Sequence, residues 1–171
     1  MNYHDELLRL AADALRDDAP PLTGQAAIRR TISTAYYALF HLLTSAAAER
    51  LVGSAPEARG LRATMRRAFG HVEMKDAAKG FASGRLSPKL EAALRTDEVP
   101  VDLAVVATSF VNLQSKRHTA DYDLSADLLP SDAREAVILA VRAGAAWERV
   151  RDTEPARVFL VALLLLRSIR Q

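Results

Sequence analysis

The sequence predicts an all-α protein in which four to six helices pack as a bundle. Hydrophobic residues make up 50% of the 171 residues, aromatic residues only 6%, and alanine and leucine dominate. Apolar residues recur at helical spacing, and prolines and glycines are clustered between these segments. A chain of this length can form one domain with its own core. We therefore expect a single helical domain over residues 1–171.

The expected helices are bounded by prolines, glycines or polar caps. In chain order they are Tyr3–Arg16, Gly24–Val52, a short basic helix from Arg59 to near Gly70, Pro100–Arg117, Pro130–Arg151 and Ala156–Arg170. Thr23 is expected to cap the second helix, and Ser131 is expected to cap the helix that begins at Pro130.

The stretch from His71 to Pro100 is expected to be mostly loop. It contains Gly80, Gly84 and Pro88, which interrupt regular structure. One short helix is expected within it, around 89–94.

Composition and spacing exclude several classes of function. The chain has no cysteine, which excludes disulfides, thiolate catalysis and cysteine-based zinc sites. None of the four histidines follows a glutamate by three residues, the spacing of a di-iron bundle. A phosphate-binding glycine loop and a serine elbow are also lacking. We therefore expect no metal and no other cofactor.

The chain is expected to be cytoplasmic, without membrane contact. Its first ten residues, MNYHDELLRL, contain acidic residues where a signal peptide has basic ones. The longest apolar run, Val158–Leu166, has nine residues and is too short to span a bilayer. The apolar helix over residues 155–171 is instead expected in the core or in a dimer interface. The net charge of +2 favours nucleic acid only weakly, although most basic residues are arginines, which bind phosphate well.

The second helix has one apolar and one unusual polar face. Its apolar stripe contains Ile28, Ile32, Ala35, Leu39, Leu43 and Ala46. Arg30, Tyr37 and His41 lie opposite, flanked by Ser33 and Thr34. This polar seam either packs against another helix or subunit, or has a direct functional role.

The helix that begins at Pro100 places an arginine on its apolar stripe. The stripe contains Leu103, Val106, Phe110 and Leu113, and its next positions are Arg117 and Asp121. A buried arginine is costly unless it is paired. Either Arg117 forms a bridge to Asp121 that closes the end of the bundle, or its guanidinium is held in a cleft to receive a phosphate.

Two segments resemble the HEPN family of small helical prokaryotic domains. They are RRTISTAYYALFHLL, residues 29–43, and RHTADYDL, residues 117–124. The resemblance extends in outline over residues 3–151. It implies a helix bundle that forms a homodimer in which two polar seams meet. It also implies metal-independent RNA cleavage, often by toxins of toxin–antitoxin systems or by phage-defence effectors.

The active branches of the family carry an arginine and a histidine separated by four to six residues. Arg117 corresponds to the arginine, His118 follows it, and Tyr122 stands at the nearest position for the histidine. Metal-free cleavage needs a base with a pKa near neutrality and a cation for the phosphorane charge. His41, from the facing seam or a second subunit, is expected to supply the imidazole. The candidate catalytic residues are Arg117, His118, Asp121, Tyr122 and His41.

The family spacing also occurs literally at Arg66 and His71, in a different helix. Together with Arg30 and Tyr37, these residues are the candidates for substrate binding. The expected partners are RNA or a nucleotide phosphate, a second copy of the chain, and a nucleotidyltransferase or antitoxin. The alternative is a non-catalytic HEPN module that binds RNA, a nucleotide or a partner protein.

Overall fold

The computed structural model describes residues 2–16, 22–94 and 98–170, with side chains as far as residue 165. Within these ranges the chain forms eight α-helices and one 3-10 turn at Pro56–Ala58, and it contains no strand. The helices are α1 Tyr3–Asp13, α2 Gln25–Val52, α3 Arg59–Arg67, α4 His71–Ser83, α5 Pro88–Leu94, α6 Val101–Tyr122, α7 Pro130–Val150 and α8 Glu154–Arg170. The predicted all-α fold is confirmed, although the described residues contain more helices than the four to six that were predicted.

The helix ends differ from the sequence-based expectation in several places. α1 and α3 each end a turn early. Gly24 rather than Thr23 is the N-cap of α2. Leu129 rather than Ser131 is the N-cap of α7, and Asp132 accepts a hydrogen bond from the Leu129 N–H at 2.9 Å. A carboxylate in the first turn thus replaces the expected hydroxyl as the acceptor for a free N–H.

α4 occupies much of the stretch that the sequence predicted as loop, so that prediction was wrong for residues 71–83. Met74, Ala77, Ala78 and Phe81 are buried at helical spacing. Gly80 lies inside the helix because the returning chain passes close to it: a Cβ there would lie 3.2 Å from the Arg85 carbonyl oxygen. This glycine admits a close contact and does not interrupt the helix.

The core lies between α2, α6 and α7, with α4 packed on α6. Five residues of the two predicted apolar stripes lie in this core and are at most 2% exposed: Ile32, Leu39, Val106, Phe110 and Leu113. α1 packs on α2 and α7, and α8 packs on α4, α5 and α2. Buried residues of α8, including Phe159 and Leu163, belong to the same core. No helix in the described ranges has the length and apolar content needed to cross a bilayer.

α2 and α6 run antiparallel. Arg29 contacts backbone carbonyls from Ala120 to Ala126, at the end of α6 and in the following loop, whereas Tyr37, about two turns later in α2, contacts Arg117, which lies earlier in α6. The contact that involves Arg29 explains where α6 ends. Its Nη1 donates to the carbonyl oxygens of Ala120 at 2.8 Å and Asp123 at 2.9 Å, and its Nη2 donates to that of Ala126 at 2.6 Å. A guanidinium at a helix C-terminus satisfies the last carbonyls and opposes the helix dipole.

Candidate functional site

α6 extends past Arg117, where the sequence predicted its end, and this extension creates the candidate site. The guanidinium is nearly enclosed, since Arg117 is only 9% exposed. Its Nη2 donates hydrogen bonds to Tyr37 Oη at 2.9 Å and to Tyr122 Oη at 3.3 Å. One arginine therefore joins a tyrosine of α2 to a tyrosine at the end of its own helix.

Asp121 pairs with the other side of the guanidinium. Arg117 Nε lies 2.5 Å from Asp121 Oδ2. The Nε–H is not directed at that oxygen, and Nε is a buried nitrogen without a hydrogen-bond partner, so the contact is an ion pair. Ser33 Oγ donates a hydrogen bond to Asp121 Oδ1, which holds the carboxylate in place. Arg117 Nη1 makes no hydrogen bond to any described residue.

Three phenol rings surround the charge. The Arg117 Cζ lies 5.9 Å from the ring centroid of Tyr36, 5.5 Å from that of Tyr37 and 5.0 Å from that of Tyr122, distances at which cation–π attraction acts. Burial lowers the pKa of Arg117, but Asp121 and the tyrosines outweigh it, so the pKa is raised. The guanidinium therefore stays charged at neutral pH.

His71, the first residue of α4, is the imidazole electrostatically coupled to Arg117. Its Nδ1 lies 2.6 Å from Tyr36 Oη, and its ring lies 4.5 Å from that of Phe40. Burial lowers the pKa of His71, and the charge of Arg117 lowers it further. Burial also raises the pKa of Tyr36 well above its usual range. At neutral pH a neutral imidazole and a protonated phenol therefore share this hydrogen bond.

His41 also packs against Tyr37. The two rings are stacked, with centroids 6.1 Å apart and planes 27° apart. Burial lowers the pKa of His41, and the nearby Arg66, His4 and His71 add to the effect. Two imidazoles with lowered pKa values thus flank the tyrosine that binds Arg117.

The structure brings most of the candidate residues together. Arg117, Asp121, Tyr122, Tyr37, His71 and His41 form one connected group. His118 is exposed, and it contacts this group through Tyr122, whose ring lies 5.2 Å from its own. Arg30 is exposed, and its guanidinium has no hydrogen bond or ion pair within the described ranges.

Arg66 and His71 have the family's spacing in sequence, but they do not act on each other in the structure. Arg66 lies in the last turn of α3, and His71 begins α4. The cation that lowers the pKa of His71 is Arg117, whereas Arg66 acts on His41. The arginine and the histidine of the site therefore come from helices α6 and α4, which are far apart in sequence.

A cleft of about 730 Å³ adjoins this group. His41 and Arg66 line the cleft, together with residues of α1 and of the end of α7. Arg117 is not among its lining residues. Arg117 contacts Tyr37 and Tyr122, but the cleft opens beside His41 and not at the guanidinium, where one of the two alternatives for Arg117 placed it.

Tyr36 is the site residue that the sequence analysis missed. It is fully buried and lies beside Ile32 and Leu39 on the apolar side of α2, where a tyrosine is most simply interpreted as core. The available signal was its hydroxyl, because a buried tyrosine hydroxyl usually has a hydrogen-bond partner. That partner, His71, is 35 positions away.

Comparisons with protein-family models, with curated proteins and with solved structures give no match for this chain. Among the described residues, no three histidine, aspartate or glutamate side chains are grouped so as to hold a metal ion.

Proposed function

We propose that this protein is a HEPN-type endoribonuclease that cleaves RNA without a metal ion. The observation that carries the proposal is a permanently charged Arg117 beside a neutral His71, linked through Tyr36 and Tyr37. Cleavage of this kind needs one neutral base and one fixed cation at the phosphate. One chain supplies both groups, His71 as the base and Arg117 as the cation. No histidine is needed at the family's usual spacing after Arg117.

In the proposed reaction, His71 removes the proton from a ribose 2′-hydroxyl. The 2′-oxygen attacks the adjacent phosphorus, and the bond from phosphorus to the 5′-oxygen of the next nucleotide breaks. The leaving oxygen takes a proton from protonated His41. The products are a 2′,3′-cyclic phosphate and a free 5′-hydroxyl. Arg117 stabilises the charge on the phosphorane through Nη1, its amino group without a hydrogen-bond partner in the described chain.

His71 can act as a base through Nε2. When its Nδ1–H donates to Tyr36 Oη, the lone pair remains on Nε2. The lowered pKa of His71 keeps this nitrogen unprotonated at neutral pH. Asp121, held by Ser33, orients the guanidinium and leaves Nη1 available.

The resemblance supports a biological setting for this activity. We propose a cytoplasmic homodimer that acts as a toxin or phage-defence effector, controlled by an antitoxin or a nucleotidyltransferase. The partly exposed side chains of Tyr37, His41 and His71 suit such a dimer, because a second copy can cover polar groups that are unusual for open solvent.

A second candidate is a non-catalytic module that binds RNA or nucleotides. The observation in its favour is the burial of Arg117, which is only 9% exposed. Its guanidinium already contacts Asp121, Tyr37 and Tyr122. Tyr122 stands where active members of the family have their histidine. A site of this kind binds a phosphate more readily than it cleaves the ester.

The test is cleavage of a labelled single-stranded RNA in EDTA, with analysis of the product ends. The wild-type protein is expected to produce 2′,3′-cyclic phosphates. His71→Asn keeps a polar group near Tyr36 but removes the base, and it should slow cleavage by about 100-fold or more while RNA binding persists. Arg134→Ala, on an exposed arginine of α7 outside the Arg117 group, should cleave normally. Binding without cleavage by the wild-type protein would reject the nuclease and support the binding module.

A further inference from the structure

The cleft beside His41 is connected to the Arg117 group through stacked side chains. Tyr37 Oη accepts the hydrogen bond from Arg117, and the Tyr37 ring stacks on His41. His41 also has an edge-on contact with Tyr3, with ring centroids 5.0 Å apart. Tyr3 and His41 both line the cleft. A ligand in the cleft therefore lies two side chains away from the guanidinium that is proposed to bind the scissile phosphate.

Arg66 is the arginine of the cleft that has no ion-pair partner among the described residues. Two other arginines line it, and both are paired: Arg50 lies 3.5 Å from Asp152, and Arg151 lies 3.1 Å from Glu148. Arg66 makes no hydrogen bond or ion pair to any residue that the structure describes. Its charge instead lowers the pKa of His41. An anion bound to Arg66 would satisfy the guanidinium and relieve this repulsion.

The charges on the cleft wall limit the ligand to a small negative charge. Four carboxylates line the cleft along with the three arginines: Asp5, Glu49, Glu148 and Asp152. These carboxylates would repel a triphosphate, whereas a single phosphate monoester or diester can bind to Arg66 alone. The Glu49 carboxylate has no hydrogen bond or ion pair within the described chain, so it can accept hydrogen bonds from ribose hydroxyls.

The cleft also offers an aromatic surface for a base. Tyr3 is 61% exposed, and its ring is held against His41. Nucleobases stack on exposed aromatic rings with little dependence on sequence. The cleft volume of about 730 Å³ lies in the range of small-molecule sites and is large enough for one nucleotide.

We infer that the cleft binds one nucleotide, with its base against Tyr3 and its phosphate on Arg66. The ligand is a nucleotide unit that carries a single phosphate. This inference rests on the proposed function in one respect: in the nuclease, the bound unit is the RNA nucleotide next to the scissile phosphate. The same chemistry also describes a free nucleoside monophosphate, and the experiment separates the two sources.

Binding can be followed with the natural fluorophore of the chain. Trp147 is the single tryptophan, and it lines the cleft. Titration with a nucleoside monophosphate is expected to change its fluorescence with saturation, and a nucleoside triphosphate should bind more weakly.

Arg66→Gln should weaken monophosphate binding about tenfold or more, because a charge-assisted hydrogen bond is lost. Tyr3→Ala should weaken it at least several-fold through loss of stacking. Arg67→Gln, on the exposed neighbour of Arg66, is the matched control and should bind normally.

Competition distinguishes the source of the nucleotide. If the cleft holds a unit of RNA, the monophosphate should inhibit RNA binding competitively, and Arg66→Gln should raise the Kd for RNA. If the monophosphate binds without displacing RNA, the cleft is a site for the free nucleotide.

An unchanged fluorescence, or equal affinities for wild type and Arg66→Gln, would overturn the inference. Monophosphate binding by a protein that does not cleave RNA would reject the nuclease alone, so the two failures can be told apart.

Discussion

Arg117 Nη2 donates a hydrogen bond to Tyr37 Oη across 2.9 Å, and this contact joins the end of α6 to the middle of α2. The same guanidinium is paired with Asp121. Arg117 therefore has a structural role, whatever reaction it supports. Its contribution to stability and its contribution to activity have to be measured separately.

Replacing both members of the ion pair separates these contributions. Arg117→Ala should lower the free energy of unfolding, because Asp121 and two tyrosine hydroxyls lose their partner. Adding Asp121→Asn should recover part of that loss, with a coupling energy of about 1 to 3 kcal/mol in urea unfolding. RNA cleavage should stay at least about 100-fold below wild type in both variants. Arg117→Lys should restore little activity, because the planar fork is lost. Recovery of cleavage in the double variant would show that Arg117 acts only through structure.

The two histidines should make stability depend on pH in a defined window. Burial is the main cause of the lowered pKa values of His41 and His71 in the folded protein, while the unfolded chain has the usual value of about 6.5. Below pH 6.5 the unfolded state binds more protons than the folded state. The free energy of unfolding should therefore fall as the pH is lowered from 6.5 towards 5, before most carboxylates titrate.

Urea unfolding at pH 7.5, 6.5, 5.5 and 5.0 measures this slope. His71→Gln and His41→Gln should each reduce it, because each removes one group that takes up a proton on unfolding. His118→Gln is the control, since that side chain is exposed and lies against the Tyr122 ring at the surface. Equal slopes in the wild type and in both site variants would contradict the assignment of buried neutral imidazoles.

The same shifts predict the pH dependence of cleavage. The profile of kcat/KM reports the pKa values of the base and the acid in the free enzyme. With His71 as base and His41 as acid, both values lie below 6.5. The profile should therefore be bell-shaped, with its maximum below pH 6.5. A maximum above pH 7.5 would assign the acid and base to other groups.

The sequence was sufficient to predict the parts of the fold that depend on periodicity. The helical spacing of apolar residues places Ile32 and Phe110 in the core, and both are fully buried. The same spacing places Arg117 on the buried stripe with Asp121 one turn later, and the two side chains are paired. Helical geometry within one segment is enough for each of these predictions.

The remaining parts depend on contacts between segments that are distant in sequence. The hydrogen bond between Tyr36 and His71 exists because α4 packs beside α2, and no local pattern encodes that. The sequence around Gly80 predicts a loop, because the contact of this residue with the Arg85 backbone exists only after the chain has turned. Arg29 begins the segment 29–43 that resembles the HEPN family, yet its side chain binds carbonyls of α6 and the following loop.

Arg29 should be important for stability, and its neighbour Arg30 should not. Arg29→Ala removes a guanidinium that binds carbonyl oxygens of Ala120, Asp123 and Ala126. The expected loss is about 2 kcal/mol in urea unfolding, the range for hydrogen bonds to a charged group. Arg30→Ala, on an exposed side chain, should change stability by less than about 0.5 kcal/mol. Equal effects of the two substitutions would contradict the role of Arg29 as a cap.

Phe81 tests the helix that the sequence analysis did not predict. Its ring packs edge-on against that of Phe159 at 4.9 Å, and both residues are fully buried. Phe81→Ala should lower the free energy of unfolding by about 3 to 5 kcal/mol, through lost burial and the cavity that remains. Val72→Ala is the control within α4, because Val72 is 62% exposed. If residues 71–83 formed a surface loop, both substitutions would have small effects. A large loss for Phe81→Ala alone is expected only if α4 packs on α8 through this aromatic pair.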